Sequence, residues 1–157
     1  MEPLVVKTSM LIECDSTGAF DAFVDPDKIT RFWLDATSAP LSDGATVTWH
    51  FMVPGATETV EVIAFERPRL LAFRWSDNIE VWLEFFENPS GETKVSLNAV
   101  GFSGEDAVAK ALDATEGFGI VLCDLKTMLE SGKSAGLVRA KAKLVAASLL
   151  GNSKSAA

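Results

Sequence analysis

The sequence has little of the chemistry that side chains usually bring to catalysis. It holds one histidine, His50, and two cysteines, Cys14 and Cys123. Widely spaced in the chain, these three do not make up the four ligands of a structural zinc site. No dense cysteine pattern marks a secreted scaffold, although sequence alone leaves a Cys14–Cys123 bridge open. Cations are also scarce: 14 Lys and Arg face 22 Asp and Glu, a net charge of −8. Such a surface repels phosphate backbones, so no nucleic-acid partner is expected, and the charge is read as serving solubility. No apolar run approaches the ~20 residues that cross a bilayer, so no integral membrane segment is expected. Met1 to Lys7 shows no basic stretch followed by an apolar run, so no signal peptide is read and a cytoplasmic protein with reduced thiols is expected. Gly101, Gly104, Gly117 and Gly119 lack the strand–turn–Lys setting of a phosphate loop.

What is present is a globular composition. The 157 residues are 48% hydrophobic and 23% charged. A chain of this length suits one domain that buries roughly 70% of its unfolded surface.

Val5 to Cys14 alternates as a strand, with Val6, Met10 and Ile12 on one face. Asp15 or Ser16 caps a short helix that runs to Val24. Asp25-Pro26 restarts a second, Asp as N-cap and Pro as first helical residue, ending near Trp33. Strands then follow closely: Thr46–Val53, Thr57–Phe65, Leu70–Trp75, Ile79–Glu87 and Thr93–Val100. The turns between them, at Pro54-Gly55, Arg67-Pro68, Ser76–Asn78 and Asn88–Gly91, are too short for anything but antiparallel pairing.

The last major element is a helix from Glu105 to Glu130. Ala111, Thr115, Phe118, Leu122, Leu125 and Leu129 recur at steps of four and three, and Ala107, Val108, Val121 and Met128 widen the stripe. Lys110, Asp113, Glu116, Asp124 and Thr127 are assigned to water. Ser103 or Gly104 is the expected cap and Gly132 the stop. The predicted fold is α+β: a curved antiparallel sheet of about six strands, two short helices, and the long helix across the concave face. On the sheet, Val47, Trp49, Phe51, Val60, Val62, Leu71, Phe73, Trp75, Val81, Leu83, Phe85, Val95 and Leu97 form an apolar face. Thr46, Thr48, His50, Glu61, Arg74, Glu80, Glu84, Lys94 and Ser96 lie opposite.

Specific stretches carry a family resemblance. The run from Phe20 through Asp25-Pro26 to Phe32-Trp33, the run Glu66–Trp75 after a Pro turn, and Thr93–Leu97 followed by Gly101-Phe102 are three of them. Gly117-Phe118, Leu125-Lys126 and Glu130-Ser131-Gly132 complete the pattern. The chain resembles the START-like, SRPBCC superfamily of helix-grip folds, and within it the group similar to the activator of the Hsp90 ATPase. The match spans roughly residues 6–132. It departs at Phe118, where the family usually places Trp. The resemblance implies a helix-grip domain over 1–133, with 134–157 a C-terminal helical extension and tail. It also implies binding of apolar small molecules between helix and sheet, cyclase or hydroxylase roles in some members, and protein binding in the chaperone-activating branch.

The candidate chemistry is thin. His50 points off the apolar face, and Glu80 and Glu84 stand about 13 Å apart on one strand, beyond glycosidase spacing. No catalytic residue, metal ligand or cofactor is assigned. Trp33, Trp49, Phe51, Phe73, Trp75, Phe85, Phe118 and Leu122 are the candidate ligand-binding set, with core filling equally open. Trp82 and Phe86, on the outer face, and Ile120, on the outward side of the long helix, are the candidate partner-binding set. In the tail, Leu137, Val138, Leu144, Val145 and Leu149 share a helical face. With Arg139, Lys141 and Lys143 elsewhere on it, such a helix could lie on a membrane surface, but packing on its own domain or on a twin subunit is the preferred expectation, so a homodimer stays open. Non-catalytic binding of an apolar ligand is the preferred reading. Protein interaction, with a chaperone for example, is the alternative, and a polyketide-cyclase-like enzyme the weaker one. Gly117 and Gly119 flank Phe118 and are read as allowing close approach to the sheet or a bend.

Overall fold

The computed structural model describes residues 3–156, with side chains described for 3–150. The chain runs β1 (Val6–Ile12), α1 (Ser16–Val24), α2 (Pro26–Phe32), β2 (Leu34–Thr37), β3 (Thr46–Phe51), β4 (Thr57–Glu66), β5 (Leu70–Arg74), β6 (Glu80–Glu87), β7 (Thr93–Val100), α3 (Ala107–Ser131) and α4 (Leu137–Ala156). All strands form one antiparallel sheet in the order β1-β7-β6-β5-β4-β3-β2.

Local signals set most boundaries. The Asp15 carboxylate accepts from Gly18 N at 2.7 Å, and that of Asp25 from Asp27 N at 2.9 Å. Both satisfy helix N–H groups that have no partner within the helix. Gly132 ends α3 in the left-handed conformation, φ +81°, where a side chain would be strained. The predicted cap of α3 differs: the helix begins at Ala107 after Asp106, and no side chain bonds its first turn.

The sheet has seven strands where about six were expected. The addition is β2, four residues paired with the outer side of β3 through a register shift between Leu34 and Ala36. So short an edge strand has no periodicity to reveal it. Pairing with β3, a tertiary event, makes it a strand.

The alternation of the sheet predicts burial well. Val47, Val60, Leu71, Val81, Leu83, Val95 and Leu97 are buried, and Thr46, Thr48, His50, Glu61, Glu84 and Lys94 are exposed. Helix α3 is less uniform than its stripe. Phe118, Val121, Leu122, Leu125 and Met128 are buried, but Val108 and Thr115 face solvent. Only the second half of the helix therefore packs on the sheet. Asp124, assigned to water from its position, is 1% exposed. It is buried because the chain turns back over α3, and its carboxylate accepts from Ser134 Oγ and, at 2.8 Å, from Ala135 N.

Candidate ligand-binding cleft

The aromatic side chains form two layers. In the inner layer, Trp49 and Phe73 meet edge-to-face at 4.9 Å and are 1% and 0% exposed. Phe85, buried among Phe20 and Phe23 of α1, and Leu122 belong to the same packed interior. These four predicted ligand-binding residues line neither of the two clefts beneath α4. In the outer layer, Phe118 stacks on Trp75 at 5.9 Å and meets Trp33 edge-on at 6.3 Å. Phe51 stands edge-on to Trp75 at 6.0 Å.

Helix α4 crosses above the outer layer. The Asp124 bonds fix its approach, and two surface ion pairs hold it: Lys141 to Glu116 of α3 at 2.6 Å, and Arg139 to Asp35 of β2 at 3.5 Å. The crossing leaves two apolar clefts that share Trp33, Val138 and Lys141. One, of about 230 Å³, is walled by Trp75, Gly117, Phe118 and Val121. The other, of about 280 Å³, is walled by Phe51, Met52, Ala142 and Val145. Each alone falls just short of the ~300 Å³ of a small-molecule site, and the two lie on either side of the same three residues. Trp33, Phe51, Trp75 and Phe118 of the candidate set therefore come together here. The α4 residues and Gly117 were not in that set. Their signal was the apolar face of the tail helix, which does not say where it docks.

Of the two roles expected of these glycines, close approach to the sheet is not found. A Cβ built on Gly117 or on Gly119 meets nothing within 4 Å. Neither close approach to the sheet nor crowding calls for glycine at these positions. At Gly117 the missing side chain enlarges the first cleft instead.

Polar groups in the lining are few, and those on side chains are donors: the indoles of Trp33 and Trp75 and the Lys141 ammonium. Trp75 Nε1 is buried and finds no hydrogen-bond partner among the described residues. Neither thiol contributes. Cys14 and Cys123 are free, and burial pushes the half-buried Cys14 up to about 11, with the carboxylates of Asp15, Glu130 and Glu87 adding to the shift. It stays a thiol near neutrality. His50 is exposed on β3, away from the clefts.

The remaining candidates lie elsewhere. Trp82 and Phe86 sit on the outer sheet face. Trp82 is half-buried, opposite Ala72, with Nε1 donating to Glu80 Oε1 at 3.1 Å, and Phe86 is 67% exposed. Ile120 is half-buried where α4 crosses α3, so the tail helix docks on its own domain.

A model of the family described as activator of Hsp90 ATPase homolog 1-like protein matches residues 16–130. A crystal structure of a Staphylococcus saprophyticus protein is similar, with 30% identity, 83% of this chain and 95% of that chain covered, and a TM-score of 0.74. The solution structure of an AHSA1-like protein from Aeromonas hydrophila shares 26% identity over 83% and 94% of the two chains, TM-score 0.62. The Aha1 dimer from Colwellia psychrerythraea has the same fold at 16% identity, over 83% and 99%, TM-score 0.73. No curated protein matches the chain.

Proposed function

The chain belongs to the activator of Hsp90 ATPase homolog 1-like family, and from that premise we propose that it binds a small apolar molecule in the cleft beneath α4, without side-chain catalysis. The observation that carries this reading is Gly117. Glycine within a helix costs about 1 kcal/mol relative to alanine. Nothing nearby excludes an alanine, and the space left open belongs to the cleft. An apolar ligand bearing an acceptor oxygen suits the lining better than one bearing a donor, because the side chains offer donors only.

A thermal-shift panel of fatty acids, sterols and aromatic polyketides tests the proposal. At least one compound should raise the melting temperature of the wild-type chain and raise that of Gly117→Met much less. If no compound moves the wild type, ligand binding here is wrong.

A second reading is protein interaction, chaperone binding included, through the outer sheet face. It rests on Phe86, 67% exposed, beside Leu11, 44% exposed, with Lys94 between them in the same cross-strand row. Capture of an Hsp90-type chaperone by the wild-type chain and not by Phe86→Asp would support it, and equal capture by both would remove this face. A cyclase-like enzyme is supported least, since an acid–base pair would need a carboxylate or imidazole in the lining.

A further inference from the structure

Strand β1 is an edge of the sheet, and its outer side is only half closed. Asn88 N–H donates to Glu92 O at 2.8 Å, so the even-numbered residues of β6 turn their backbone groups toward β7. Alternation then turns Lys94 toward β6 and its β1 partner Leu11 away from the sheet, together with Lys7 and Ser9. Two contacts agree with this assignment. Lys126 Nζ donates to Leu11 O at 2.8 Å, and Glu13 N–H donates to Glu130 Oε2 at 2.9 Å. One ion pair on α3 thus closes one end of the edge. At the other end the backbone groups of Lys7 and Ser9 find no partner among the described residues. Beside them lies an open groove of about 630 Å³ between β1 and the helices, lined by Met10, Ile120, Leu137 and Leu144. Leu144 is 67% exposed in it.

We propose that a second copy of this chain closes this edge, β1 pairing antiparallel with β1 about a two-fold axis at Thr8. That register sets Lys7 of each copy opposite Ser9 of the other, and each such pair exchanges both backbone bonds. It uses the free groups alone. An axis at Lys7 would set two ammonium groups directly opposite, which is unfavourable. An axis at Ser9 would set Lys7 against Leu11, whose carbonyl Lys126 already occupies. At the chosen axis Thr8 meets Thr8 of the second copy on the inner face, a favourable cross-strand pair. The symmetry brings the two apolar grooves side by side, so that each α4 helps cover the groove of the other copy, as an isologous interface requires. Each copy carries −8, so association should tighten as salt screens the repulsion.

Light scattering on the full chain should give twice the monomer mass. Oxidation of Thr8→Cys in a Cys123→Ser background should cross-link two chains, because opposed residues in a non-hydrogen-bonded pair lie about 4.5 Å apart at Cα, within disulfide reach. Ser9→Pro removes an outward N–H that β7 does not use, a change edge strands tolerate, and should give a folded monomer by circular dichroism. A wild-type chain that stays monomeric at every concentration overturns the proposal, including one that instead binds an extended peptide at this edge. So does a dimer that survives Ser9→Pro and leaves Thr8→Cys uncross-linked. Should Ser9→Pro fail to fold, the cross-link decides alone.

Discussion

The inner and outer aromatic layers are built from the same residue types, yet of the two it is the outer one that lines the clefts beneath α4. Trp49 and Phe73 are sealed within the packed interior, where the Trp33 ring meets them at 5.1 and 6.3 Å. Trp33, Trp75 and Phe118 lie one layer further out, where the covering element is α4, held by two surface ion pairs and one buried carboxylate. A helix pressed onto a sheet by a broad apolar stripe leaves no gap. One that bridges two elements at an angle leaves space beneath it. Aromatic content therefore does not mark a cavity, and the manner of covering does.

The contrast can be broken most forcefully from the inside. Phe73→Ala should destabilise the fold by about 3–5 kcal/mol, as buried aromatic truncations do, while leaving ligand affinity within twofold under conditions where the variant is folded. Phe118→Ala, at the cleft wall, should cost less than Phe73→Ala and change ligand affinity by more. Denaturant unfolding and ligand titration on both variants check the pair. If Phe73→Ala were the one to abolish binding, the ligand would belong in the inner layer.

Next in size is the anchor of α4. Asp124→Ala leaves the Ser134 hydroxyl and Ala135 N–H without their acceptor and should cost about 1–3 kcal/mol. Hydrogen exchange should rise in α4 and not in β5 or β6, since the inner layer does not depend on α4. Equal loosening in both regions would mean that the two layers are one cooperative unit.

A smaller effect of opposite sign is expected at Gly117. Gly117→Ala should stabilise the protein by up to about 1 kcal/mol, because the added methyl meets nothing within 4 Å. The same variant should bind ligand more weakly. Stabilisation with unchanged binding would detach this glycine from the cleft.

The smallest effect is on acid sensitivity, and it should spare both layers. The Arg67 guanidinium hydrogen-bonds Asp21 and holds its carboxyl below the usual range. The Trp82 N–H and then Arg74 do the same for Glu80, and Lys126 and the Glu13 N–H for Glu130. A carboxylate depressed in the folded state contributes stability above its unfolded value, about 4, and loses it as pH falls through the folded value. Stability should therefore fall below about pH 4, and Asp21→Asn should make that decline shallower in a pH series of urea midpoints. Ligand affinity should hold until unfolding begins, because none of these three groups lines the clefts.

The sequence by itself determined what depends on neighbours a few residues away. The Asp25 cap, the start of α1 at Asp15 or Ser16, the Gly132 stop, the short antiparallel turns and the period-two burial of β3 to β7 all rest on local sterics and backbone hydrogen bonding, so they were legible in advance. Family likeness made the helix-grip arrangement legible as well. The tertiary structure decided the rest. β2 became a strand only by lying against β3. Asp124, at a position that reads as solvent, was buried only because the chain folds back to give it Ser134 and Ala135. Half of the candidate ligand residues went to the core and half to the clefts that α4 covers. Their chemistry is the same, and a one-dimensional pattern of apolar residues fixes which faces are buried without fixing which covering element leaves a gap.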